Sequence, residues 1–163
     1  MQAKTLIIAY GNRDREDDGA GWHILDKLAL QLGLETPEFP GDQVSTPDGR
    51  LTLLYLFQLL PEMAEDIADY DQLIFIDAHN SPSLPNLVFE QVLPDQTHSA
   101  FTHHMGPGEL LAIAQILGRK LPLSWILSVR GFSFRFARTL SEETSKMVDQ
   151  AFSCLLTHLS LTV

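Results

Sequence analysis

The chain has 163 residues, enough for one ordinary domain and too few for two of typical size. With 45% hydrophobic and 20% charged residues it can bury a core, which excludes the disordered and fibrous classes. Eleven basic against twenty-one acidic residues give a formal charge of −10, which opposes phosphate backbones and anionic membrane surfaces, so no nucleic acid and no membrane is expected as a partner.

Thr5 to Tyr10 is short and almost uniformly apolar, the pattern of a strand covered on both faces. It runs directly into the charged stretch Arg13 to Asp18, so it reads as a buried strand and not as a signal peptide. From Gly11 to Gly21, glycines bracket four acids and two arginines at a strand-to-helix turn. One reading is a solvated turn in which Asp17 or Asp18 caps the next helix. A phosphate site is disfavoured, because the spacing fits neither the dinucleotide fingerprint nor a P-loop and four carboxylates would repel the ligand.

Gly19 to Leu32 places Trp22, Leu25, Leu28, Ala29 and Leu32 at three- and four-residue spacing and predicts a helix. Thr36 to Arg50, with three prolines and two glycines, reads as a surface loop. A strand follows at Leu51 to Phe57, then a short helix at Pro61 to Ala68 with Pro61 in its first turn. The next strand, Gln72 to Ala78, ends its apolar run at Asp77, followed by Ala78, His79 and Asn80. An acid at the carboxyl end of a central strand borders the crevice where ligands gather in such sheets, although an Asx turn accounts for it equally.

Asn86 to Val92 is a fourth strand, and Thr102-His103-His104-Met105 leads through Gly106-Pro107-Gly108 into a helix over Gly108 to Leu117. Adjacent side chains in an extended segment point to opposite sides, so at most one of the two histidines faces a given site. Leu123 to Val129 is the fifth strand, and Ser141 opens a final amphipathic helix running to about Leu159. The single cysteine, Cys154, sits among Phe152, Leu155 and Leu156 and reads as a small buried hydrophobe; no intrachain disulfide can form. No apolar run approaches the roughly 20 residues of a membrane span, and a cytoplasmic protein is expected.

Alternation of these elements predicts an α/β fold, a three-layer α/β/α sandwich around a mainly parallel, twisted sheet of about five strands, with residues 1–163 forming one domain. The loop acids Asp17 and Asp18, the strand-end Asp77, and one of the adjacent His103 and His104 then offer two carboxylates and an imidazole near one crevice, a donor set suited to borderline divalent metals including nickel and zinc. His79 is a neighbouring candidate. No Gly-x-Ser-x-Gly elbow occurs.

The chain resembles the hydrogenase maturation protease family. That family's signature, Gly-Asn-x-Leu-x-x-Asp-(Asp or Glu)-Gly-x-Gly, is matched at Gly11, Asn12, Asp17, Asp18, Gly19 and Gly21, with Asp14 in the usual Leu position. Phe75-Ile76-Asp77-Ala78 is similar to the family's strand ending in Asp-Ala, Thr102-His103 to its Thr-His before a helix, and Ser128 to Phe134 with Leu140-Ser141 to its closing strand and helix start.

The resemblance implies an aspartyl-type endopeptidase that removes a C-terminal extension from the large-subunit precursor of a nickel-iron hydrogenase once nickel is inserted. It implies Asp18 and Asp77 as catalytic residues and Asp18, Asp77 and His103 as metal ligands. The nickel would come with the precursor, leaving the isolated protein empty or holding another divalent metal, and the protein would act as a monomer. A noncatalytic nickel- or precursor-binding chaperone would use the same ligands. Arg13, Arg15, Arg130 and Arg135 are candidate contacts for the precursor.

Overall fold

A computed structural model describes residues 3–95 and 104–161. In chain order the elements are β1 (Thr5–Tyr10), a 3-10 turn (Glu16–Gly19), α1 (Ala20–Gln31), β2 (Gln43–Ser45), β3 (Leu51–Leu56), α2 (Met63–Asp66), β4 (Gln72–His79), β5 (Leu87–Val92), α3 (Pro107–Ile116), β6 (Leu123–Arg130) and α4 (Glu142–His158). The six strands form one sheet in the order β2-β3-β1-β4-β6-β5. The central pairs β3–β1, β1–β4 and β4–β6 are parallel; β2 and β5 close the two edges antiparallel.

The uniform apolarity of β1 and β4 follows from burial on both faces. Ile7 and Ala9 of β1 and Ile74 and Ile76 of β4 pack with Trp22, Leu25 and Leu28 of α1 and with Val148, Ala151 and Leu155 of α4. The alternate residues Leu6, Ile8, Leu73 and Phe75 pack on the opposite side, against Ala64 of α2 and Leu110, Leu111 and Ala114 of α3. Each large apolar side chain buried here, such as Phe75 or Leu28, stabilises the fold by roughly 1.5–3 kcal/mol.

Three expectations change. The sheet has six strands, because Gln43–Ser45 within the expected loop pairs along β3, with Val44 opposite Leu53. A three-residue edge strand has too short an alternation to register as a pattern, and its pairing comes from β3's free edge. The expected Pro61 to Ala68 helix is a single α turn at Met63–Asp66, tightening into a 3-10 turn at Ile67–Asp69. Cys154 is partly exposed, since the side of α4 that carries it forms a shallow pocket with Phe89 and His158. No described helix is long and apolar enough to cross a membrane.

Candidate active site

The strand order places a switch point between β1 and β4, where the chain leaves β1 for β3 on one side while β4 flanks the other. Ligand crevices open at such points, outside the carboxyl ends of the strands. Tyr10 continues the face of Leu6 and Ile8, and Asp77 continues that of Leu73 and Phe75. Here the apolar layer ends, and Tyr10 and Asp77 both line a crevice of about 270 Å³ together with Asn12, Arg15, Asp18 and His104.

Backbone geometry accounts for the glycines and asparagine of the loop. Gly11 has φ +136°, and a Cβ there would lie 2.2 Å from the carbonyl oxygen of Asp18. A Cβ on Gly21 would come within 2.8 Å of the Ile76 carbonyl oxygen, so its absence lets α1 approach β4 just before Asp77. The Asn12 amide donates to Asp18 Oδ2 at 3.0 Å, while Asn12 Oδ1 accepts from the Asp14 amide at 2.9 Å. Gly11→Ala is expected to displace the Asp18 backbone and to cost roughly 2–4 kcal/mol, combining strain at a positive φ with a backbone clash. A denaturant melt with an unchanged midpoint would refute this account.

Asp17 and Asp18, adjacent in sequence, face different surroundings. Asp17 is fully buried, accepting from the Phe132 and Ser133 amides at 2.7 and 2.9 Å, from the Ser141 hydroxyl at 2.7 Å and from the Ser141 amide at 2.8 Å. Burial pushes its pKa up, but these four donors outweigh burial and hold it below the ordinary value. Its neighbour Glu16, at φ 43°, takes the Ser133 hydroxyl and pairs with Arg135 at 3.1 Å. The residues from Phe132 to Ser141 therefore clamp the signature loop from behind, helped by Glu16 N–H to Ala137 carbonyl at 2.7 Å. Neither acid caps α1, whose N-terminus has no side-chain cap. Asp14, in place of the family's Leu, forms an exposed ion pair with Arg138 at 2.6 Å.

Asp77 is partly buried, its Oδ1 accepting from the Ala78 amide at 2.7 Å, and it shares the crevice with the Tyr10 phenol. Burial raises its pKa to about 7; the Ala78 amide and the nearby Tyr10 phenol oppose this and the charge of Asp18 adds to it. Burial also pushes the Tyr10 phenol well above its ordinary pKa, with Asp77 contributing, so Tyr10 stays a proton donor. Tyr10 was legible only as the end of a strand; its place before Gly11 was the available signal.

A second cavity of about 550 Å³ shares Tyr10, Asp77 and His104 and runs on past Val88 and Ile126 to the start of α3. A third, of about 360 Å³, shares Arg15 and Asp18 and adds His79 and Phe134. Shared walls make these one groove crossing both carboxylates. His79 donates or accepts at Nδ1 with Ser128 Oγ, 2.8 Å away, and its Nε2 is buried without a partner among the described residues. Burial lowers its pKa, keeping the ring neutral at physiological pH. Thr102 and His103 lie outside the described residues; His104 is the described imidazole at the crevice. Among the described residues no group of three His, Cys, Asp or Glu is placed to hold a metal ion.

A crevice with two carboxylates at the switch point of a three-layer α/β sandwich defines the class of site. No protein-family model matches this chain, and no curated protein sequence does. Solved structures do. The hydrogenase maturating endopeptidase HybD from E. coli superposes with a TM-score of 0.72 at 19% identity, over 96% of this chain and 92% of that one. A hydrogenase 2 maturation peptidase from a Thaumarchaeota archaeon gives 0.63 at 22% identity, over 98% and 99%. The NiFe hydrogenase maturation protease HycI from Thermococcus kodakarensis KOD1 gives 0.66 at 16%, over 97% and 93%. The chain has the fold of these hydrogenase maturation proteases.

Proposed function

We propose that this chain is an endopeptidase that removes the C-terminal extension of a nickel-iron hydrogenase large-subunit precursor after nickel insertion. The observation that carries the reading is the pair Asp18 and Asp77: they line one crevice, at the switch point of a fold shared with named maturation endopeptidases, with no Lys or Arg in ion-pair contact with either.

Two carboxylates lining one crevice with no ion-paired Lys or Arg suit a divalent metal; burial chiefly raises the pKa of Asp77, and the charge of Asp18 adds to it. Asp18 and Asp77, with His103 from the motif resemblance, would hold the precursor's nickel, which would serve as a recognition element borne by the substrate. Their own hydrogen bonds fix the orientation of both groups: Asn12 N–H holds Asp18, and Ala78 N–H holds Asp77. Two chemical roles fit this site: nickel would polarise the scissile carbonyl as a Lewis acid, or a carboxylate of the pair would take a proton from the attacking water and return it to the leaving amine while the metal positions the peptide. The groove on both sides of the carboxylates supplies room for an extended peptide.

The test is to incubate the purified protein with nickel-loaded and nickel-free precursor and to weigh the products by intact mass spectrometry. Loss of a C-terminal peptide from the nickel-loaded form alone is the expected result. Tight binding with no change of mass would replace the endopeptidase with a noncatalytic chaperone.

A further inference from the structure

The four arginines named as candidate contacts divide sharply. Eight of the chain's eleven Lys and Arg side chains lie within 4.0 Å of a carboxylate, among them Arg13 with Asp26, Arg135 with Glu16 and Arg138 with Asp14. The other three are Lys4, at the opposite end of β1 from the groove, and Arg15 and Arg130. Every Asp and Glu of the chain lies in the described residues, so no undescribed acidic side chain is left to pair with these.

Arg15 stands where the groove passes Asp18, in the wall of both the 270 Å³ and the 360 Å³ cavities. Its position is fixed, not merely permitted. Its amide donates to the Asn12 carbonyl at 3.1 Å, its backbone bridges to Ala137, and its Nε and Nη2 donate to the Phe134 carbonyl at 3.4 and 3.3 Å. One edge of the guanidinium is thereby held while Nη1 carries no partner among the described residues. Arg130 follows at the end of β6, opposite His79 in the sheet register, stacked 5.0 Å over the Phe132 ring. Exposed aromatic side chains accompany the pair, Phe136 being 89% exposed and Phe132 44%.

An acidic chain that neutralises most of its cations in internal ion pairs has kept two arginines out of them, Arg15 in the wall of the groove and Arg130 in register with the groove-lining His79. Arginine beside exposed aromatic rings is the composition of interface anchors, and an unpaired guanidinium favours a planar carboxylate over other partners. We infer that Arg15 is a specificity-determining residue that binds an acidic side chain of the precursor on the Asp18 side of the cleft. This rests on the reading of the protein as a precursor-processing enzyme, and it adds to that reading the charge of the substrate segment and the direction in which it lies.

The experiment uses the full chain, its Arg15→Ala and Arg15→Glu variants, and a nickel-loaded precursor whose extension carries Asp or Glu. That extension is prepared in three forms: native, with its acids changed to Asn or Gln, and with its acids changed to Lys. Affinity is read by calorimetry and cleavage by intact mass. Arg15→Glu is expected to weaken binding of the native precursor about ten-fold or more, with the loss in KM and not in kcat, and to regain it on the Lys form. Arg15→Ala should bind all three forms with similar affinity. Equal affinity of wild type and Arg15→Glu, or a loss that persists on the Lys form, overturns the inference. Charge-dependent binding without cleavage would keep Arg15 and sink the endopeptidase; cleavage indifferent to charge would do the reverse.

Discussion

Asp77→Asn is expected to abolish processing and, in the same molecule, to raise stability at alkaline pH. The carboxyl titrates near pH 7 in the folded protein, against about 3.9 in an unfolded chain. A folded-state pKa raised in this way contributes stability that is fully present below the unfolded value and is lost as pH rises through 7. Above pH 7 the native protein therefore carries a carboxylate that its surroundings disfavour, chiefly through burial and secondarily through Asp18.

Asn keeps the shape and can still accept from the Ala78 amide, yet it never ionises. The variant should exceed wild type by roughly 2–4 kcal/mol at pH 8.5 and match it near pH 4, as read from urea melts in metal-free buffer. Asp18→Asn should also lose processing, with a smaller gain in stability, since it only relieves repulsion. An Asp77→Asn protein that is no more stable than wild type at pH 8.5, or that still cleaves precursor, would count against the role given to this carboxylate. Stability held back at a group needed for chemistry is the usual sign of an active site.

Asp17→Ala should do the opposite, lowering stability by about 3–5 kcal/mol, because four donors converge on one fully buried carboxylate and would all lose their acceptor. The loss falls on the clamp and not on the crevice: Phe132, Ser133 and Ser141 are released, and Ser141 is also the cap of α4, accepting from the Thr144 amide at 3.3 Å. Hydrogen exchange should rise in the segment 131–145 before it rises in the sheet. The pH dependence has the sign opposite to that of Asp77. A depressed folded pKa gives stability that is present above about pH 4 and lost as pH falls through the folded value, so wild type should show an acid transition that Asp17→Ala lacks. Equal acid sensitivity in the two proteins would contradict the clamp.

The two neighbours thus divide the acidity of the loop, Asp17 binding the protein to itself and Asp18 facing outward. Motif register favours Asp18 as the ligand, but the physical separation of roles comes from the residues 132–141, more than a hundred positions away in the chain. Composition could not announce that Phe132, Ser133 and Ser141 would turn their donors onto Asp17. The same holds for Tyr10, which reads as the last apolar residue of β1 until Asp77 is brought beside it by the β1–β4 pairing. The separation of Arg15 and Arg130 from the other arginines is likewise a matter of which carboxylates lie within reach.

By itself the sequence determined the layered α/β architecture, since uniformly apolar strands alternating with amphipathic helices bury both faces of a parallel sheet in one way only. It also pointed to the carboxyl ends of β1 and β4 as the place of the proposed chemistry, because an apolar run that stops at an acid marks where the covering layer ends. Only the tertiary structure decided which acids are spent on holding the loop and which stay open to the groove. It decided too which arginines stay unpaired, and that a short edge strand forms at Val44. Each of these depends on contacts between segments far apart in the chain, where local periodicity carries no information and the partner is chosen by packing.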